Sequence, residues 1–72
     1  MFLVTNVQEL KRRREAAGLS MKALSKNAGQ PGNAVLRIER GETKRISHLR
    51  AREIARALDC EVEEIFTDAK GA

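Results

Sequence analysis

Arg37, Arg40, Lys44 and Arg45 crowd a nine-residue stretch that also holds Gly41 and Thr43. Cationic and hydroxyl side chains grouped in this way suit the oxygens of a phosphate backbone, where they fix register without reading sequence. Neutralising several phosphates at once makes such binding fall steeply with salt. The alternative for these residues is a solvated loop. Arg37 differs from its neighbours. Val35 and Ile38 sit one helical turn apart as inward anchors, which leaves the Arg37 guanidinium on the outer side.

The elements that must position these groups lie in residues 19–41, LSMKALSKNAGQPGNAVLRIERG. Two short helical patterns flank one Gly-centred break there. Ser20 is placed to cap the first, over residues 21–28, with Leu24 and Ala28 inward and Gly29 as its stop. Gln30 and Pro31 form the turn, and the second pattern runs from about residue 32 to 40 with Gly41 closing it. Two helices joined so tightly read as a helix-turn-helix, a device that sets one helix in a DNA groove.

Before this unit, Asn6 and Glu9 have the spacing of a capping box for a helix over residues 7–17 that ends at Gly18. Val7, Leu10 and Ala17 mark its buried side, and Lys11, Arg12, Arg13 and Arg14 wrap most of the rest. After the unit, Ser47 caps a fourth helix with Leu49, Ala51, Ile54, Ala55 and Leu58 at helical spacing. A short fifth helix is expected at 61–66, its acidic first turn matching the helix dipole. The reading is an all-α, five-helix domain over residues 1–66 with a flexible tail at 67–72, and no convincing sheet.

Composition agrees with a small nucleic-acid-binding domain. The 72 residues suffice for one domain with a small core, and the 42% apolar content is almost wholly aliphatic. Charge is asymmetric. Residues 37–56 carry seven basic and three acidic side chains, whereas 59–72 carry five acidic residues against Lys70. A polyanion is therefore drawn to the first three quarters of the chain. One Cys leaves no internal disulfide and fits a reduced, cytoplasmic protein. The opening MFLV is far short of the roughly 7–15 apolar residues of a signal-peptide core, and nothing approaches the ~20 of a membrane span. His48 is alone and lacks a metal partner. No nucleophile–base set, phosphate loop or metal spacing occurs, so no enzyme, cofactor, metal or small-molecule substrate is expected.

The ordered motifs resemble the lambda-type phage repressors and Cro proteins and their bacterial relatives, the xenobiotic-response-element-type regulators. Leu10, Arg14 and Gly18-Leu19-Ser20 match the start of the family pattern. Leu24-Ser25 stands for its Leu-Ala, Gly29 for its turn glycine, and Val35-Leu36-Arg37-Ile38-Glu39-Arg40-Gly41 for its Ile-x-x-Ile-Glu-x-Gly. Residues 54–58 and the closing Val62, Ile65 and Phe66 look like the last two helices. The resemblance spans roughly residues 7–66.

It implies a sequence-specific, double-stranded-DNA-binding transcriptional regulator, a repressor or Cro-like switch protein, with the third helix in the major groove. An antitoxin or protein-interaction module on the same fold is the alternative. Base-reading positions fall on Gly32, Asn33 and Arg37, with Ala34 or Leu36 against a thymine methyl. Asn33 would pair with adenine, or serve only the helix start, and Arg37 would pair with guanine. Backbone contacts fall on Ser20, Lys22, Arg40, Thr43, Lys44 and Arg45. Relatives pair an Arg and a Glu at the positions of Arg14 and Glu39, a structural ion pair that would also hold Arg14 near a phosphate.

Four positions depart from the family pattern. Gly32 replaces a long polar side chain and would let the chain approach DNA closely. Met21 replaces a Gln that contacts phosphate, Arg13 takes an apolar position, and Cys60 takes an aliphatic one. Relatives commonly bind as dimers. Phe2, Leu3 and Val4, or Val62, Ile65 and Phe66, would supply a two-fold contact or simply the edge of the core, and a monomer pairing only on DNA fits equally well.

Overall fold

Thr5 lies opposite Phe66 and Leu3 opposite Asp68, so the two ends of the chain run antiparallel to each other. The computed structural model describes residues 2–68. In order these form β1 (Phe2–Thr5), α1 (Val7–Ala16), α2 (Met21–Asn27), α3 (Ala34–Glu39), β2 (Ile46–Ser47), α4 (His48–Ala57), a 3-10 helix (Val62–Glu64) and β3 (Phe66–Asp68). The sheet has the order β2-β1-β3, with β1 central.

The all-α, five-helix expectation is therefore corrected: the described residues hold four α-helices, one 3-10 turn and a small sheet. The strands are two to four residues long, too short for apolar alternation to emerge. They exist because Leu3 pairs with Ile46 on one side and Asp68 on the other, partners distant in sequence. The expected fifth helix shrinks to the 3-10 turn, where the Glu64 carboxylate accepts the Glu61 N–H at 2.8 Å and the chain passes at Phe66 into β3. Thr67 and Asp68, read as tail, belong to that strand; the rest of the expected tail lies outside the described residues.

Local chemistry sets the helix starts. Asn6 Oδ1 accepts the Glu9 N–H at 3.2 Å, Ser20 Oγ the Ala23 N–H at 3.0 Å, and Ser47 Oγ the Arg50 N–H at 3.2 Å. Only half of the expected Asn6–Glu9 capping box forms. The Asn6 N–H donates instead to Ile65 O at 2.8 Å, and the Glu9 carboxylate turns to Arg12 and Arg13.

All four α-helices end in the same paired bonds, the Schellman arrangement. Leu19 N–H donates to Arg14 O, Gln30 to Ser25 O, Glu42 to Arg37 O and Cys60 to Ala55 O, at 2.9–3.1 Å. Each is accompanied by a bond of smaller span, from the residue before to the carbonyl three residues back, and that residue is left-handed: Gly41 (φ 81°) after α3, and Asp59 (φ 56°) after α4.

The core is aliphatic around Phe66. Leu10, Leu24, Val35, Ala51 and Ile54 are fully buried, and Ile38, Ile46 and Ile65 nearly so. Two expected inward residues face out: Ala17 is exposed, and Leu49 is 64% exposed. In α1 the inward position one turn after Leu10 belongs to Arg14 instead. Leu3, Ile65 and Phe66 are core, which removes them from any two-fold contact. Among the described residues, no helix is long and apolar enough to cross a membrane.

Candidate nucleic-acid interface

Two buried polar contacts hold α3 against the rest of the molecule. Ser25, fully buried on α2, donates its hydroxyl to Met21 O at 2.8 Å and accepts the Val35 N–H at 2.9 Å. That N–H belongs to the first turn of α3, where no intrahelical acceptor exists. The hydroxyl thus fixes the position of α3 along α2.

At the other end of α3, Arg14 Nε donates to Glu39 Oε2 at 2.7 Å and Nη2 to Oε1 at 3.2 Å. Its Nη1 donates to Leu19 O at 2.9 Å. The side chains are 10% and 9% exposed, and the Glu39 hydrogen bond holds the guanidinium still more firmly protonated. All three nitrogens of Arg14 are turned inward, so the geometry does not favour the expected phosphate contact.

Arg13 is likewise spent within the protein. Its Nε reaches Glu9 at 2.6 Å and its Nη2 reaches Glu64 at 2.7 Å, tying α1 to the 3-10 turn. With Arg12 and Arg13 donating to it, Glu9 is held at a pKa of about 2. Cys60 is half-buried against the core, and burial pushes its thiol up.

Around this frame the expected base-reading residues divide. Ala34 is 4% exposed and faces the interior, which corrects its expected contact with a thymine methyl. Leu36 is half-buried, and Gly32, Asn33 and Arg37 are exposed. The helix starts later than expected, at Ala34, with Gly32 in the preceding turn. Asn33 is the N-cap residue, yet its side chain makes no cap hydrogen bond, and its amide is not committed to the helix start. The stem of Lys22 lies over Gly32: a β-carbon there would meet Lys22 Cγ and Cε at 3.9 Å.

The remaining expected backbone contacts surround α3. Ser20 is exposed, but its oxygen caps α2. Lys22, Arg40, Lys44 and Arg45 are exposed and Thr43 half-buried. The loop cations are not all free, since Glu42 pairs with Arg37 Nε at 3.5 Å and Arg40 Nε at 3.2 Å.

Three contributors escaped the sequence reading: the Ser25 hydroxyl, Glu42 and the Gln30–Arg50 pair. Gln30 Nε2 donates to Arg50 O at 3.1 Å while Arg50 Nη2 donates to Gln30 Oε1 at 3.3 Å, clamping the interhelical turn to α4. Ser25 alone left a trace, as the polar residue in place of the family's Ala.

This arrangement is a helix-turn-helix with one helix anchored on its inner side and basic groups gathered around its outer side. The chain belongs to the helix-turn-helix family, of lambda repressor and Cro type, whose model matches residues 10–65. It is similar to the restriction-modification controller protein C.AhdI from Aeromonas hydrophila, with a TM-score of 0.73 and 34% identity over 81% of this chain and 86% of that one. A search of curated proteins gives no match. Family and fold together make the chain a DNA-binding transcriptional regulator whose partner is double-stranded DNA.

Proposed function

We propose that the chain is a sequence-reading switch protein, a repressor or Cro-like regulator, that sets α3 and the turn before it in the major groove of an operator. The observation that carries this reading is the division of α3 into two sides. Ala34, Val35 and Ile38 are buried while Arg37 and the neighbouring Asn33 stay exposed. Arg37 reads guanine O6 and N7, Asn33 reads adenine, and Leu36 contacts a thymine methyl. Gly32 gives the turn a close approach. Lys22, Arg40, Thr43, Lys44 and Arg45 hold phosphates, Ser20 less so because its oxygen is engaged. Each good bidentate pair contributes ~1–3 kcal/mol of discrimination.

The protein pairs on DNA as a homodimer, with half-sites ~34 Å apart. Phe2 and Leu49 support this, being 49% and 64% exposed. Phe2 lies opposite Ser47, the N-cap of α4, two residues before Leu49 in the chain.

The identity with C.AhdI favours a second reading, that this chain controls a restriction-modification gene pair. Restriction and methylation genes beside its own would favour that role, and a toxin gene would favour an antitoxin.

The deciding experiment is selection from a randomised duplex pool with wild type and Arg37→Ala, at low and moderate salt. A defined motif that relaxes at one or two positions in the variant is expected. Salt-sensitive binding with no motif would overturn the reading.

A further inference from the structure

Glu42 is an acidic residue set among the cations of the loop, and the backbone determines where it stands. Arg37 is the third residue from the end of α3, and Glu42 is the second residue past its cap. In the Schellman arrangement these two positions meet, usually through an apolar contact. Here the Glu42 N–H donates to Arg37 O at 2.9 Å, the Thr43 N–H donates to the same oxygen at 3.1 Å, and the side chains form an ion pair instead. The carboxylate is bidentate across two residues, with Oε1 toward Arg37 Nε at 3.5 Å and Oε2 toward Arg40 Nε at 3.2 Å.

All three side chains are roughly half exposed, a setting in which ion pairs stabilise a fold little. A role in stability therefore does not account for this pair. The atoms involved suggest what does. In both ion pairs the nearest approach is at Nε, and a guanidinium bonds guanine O6 and N7 through its terminal fork. Glu42 thus stands nearest the inner edge of each fork, at ion-pair distance, the side away from the terminal amino groups that would face a base edge.

We infer that Glu42 is a positioning and specificity-determining residue: it aims the Arg37 fork at a base edge and offsets the charge by which Arg37 and Arg40 would hold random phosphate backbone. The inference rests on the proposed base reading by Arg37. On an operator, Arg37 bonds its base without releasing Glu42. On random DNA, the carboxylate beside the phosphates is a repulsive element that lowers affinity, and discrimination is a difference between those two affinities.

The test is Glu42→Gln, Glu42→Asp and Arg37→Ala in the same duplex selection, with binding to the selected site and to random duplex titrated against salt. Glu42→Gln keeps the shape and the backbone bonds, so its melting curve stays that of wild type. Its affinity for random duplex is expected to rise roughly twofold to fivefold, with a salt slope steeper by about one. Preference at the base pair read by Arg37 is expected to fall on the order of tenfold. Glu42→Asp keeps the charge but shortens the reach, so it relaxes that preference while leaving random binding near wild type.

If Arg37→Ala relaxes the motif and neither Glu42 variant does, the inference is overturned and the base reading stands. A uniform gain on both duplexes in Glu42→Gln also overturns it, since Glu42 would then be only a bulk charge. If Arg37→Ala relaxes nothing, the base reading itself fails and the inference falls with it.

Discussion

The Ser25 hydroxyl accepts the Val35 N–H at 2.9 Å across the interface of α2 and α3, and both residues are fully buried. Through its second bond, to Met21 O, the same oxygen stays tied to its own helix. One atom therefore sets the register between the helix that supports and the helix that reads.

Ser25→Ala leaves the Val35 N–H buried without a partner, a loss of ~1–3 kcal/mol. For a domain of this size that corresponds to a melting midpoint lower by at least ~4 °C, measured by thermal unfolding. A variant melting with wild type would show that the hydroxyl is dispensable.

The Arg14–Glu39 pair should be far more sensitive to truncation than the more exposed ion pairs of Arg12, Arg13, Arg37 and Arg40. Its side chains are 10% and 9% exposed, so truncating either one strands a buried charge. Glu39→Ala or Arg14→Ala is expected to cost ~3–5 kcal/mol in urea unfolding. Arg14→Lys should also lose substantially, because an ammonium lacks the planar fork that spans both Glu39 oxygens. Arg12→Ala, which removes a side chain that is itself 65% exposed over Glu9, should lose under ~1 kcal/mol.

Gly32 separates folding from binding. A β-carbon there meets only Lys22 at 3.9 Å, an ordinary contact, so Gly32→Ala should unfold within ~0.5 kcal/mol of wild type. If the turn before α3 approaches DNA as closely as proposed, the same variant loses affinity for the selected site, on the order of tenfold for each 1.4 kcal/mol of contact forfeited. Unchanged affinity would remove Gly32 from the interface.

Acid unfolding should report Glu9. Its carboxyl drops from 4.5 to about 2 on folding, chiefly through the Arg12 hydrogen bond and then that of Arg13. Because the folded value is the lower one, this stabilisation is complete above pH 4.5 and is lost as pH falls toward 2. Glu64, lowered by the Glu61 N–H, adds to the same acid limb. Glu9→Gln should flatten the dependence of the melting midpoint on pH below 4.5 and leave its pH dependence near neutrality unchanged.

Much of the helical frame was legible because it is written in local chemistry. Asn6, Ser20 and Ser47 cap where their types and spacing require, and Gly29 and Gly41 mark stops because a left-handed residue there favours glycine. The stop at Asp59 was less legible, since an aspartate in that conformation has no distinctive signature. The sheet was missed for a different reason: strands this short have no local preference to display and gain their bonds only when segments distant in sequence meet. The candidate site was partly legible. Arg37 faces outward as helical period requires, whereas the later helix start and the inward turn of Ala34 depend on how α3 packs.

By itself, then, the amino-acid sequence determined the helix-turn-helix unit, its family, the basic loop and the Arg14–Glu39 positions, because caps, glycine stops, helical period and motif order are all encoded over short distances. Tertiary structure alone decided that β1 gathers β2 and β3 into a sheet, that Arg13 and Arg14 pair with carboxylates of the same chain, that Ser25 locks α3, and that Glu42 bridges two arginines. Those outcomes depend on which atoms come within about 3 Å of one another, and such distances are set by packing rather than by the types of neighbouring residues.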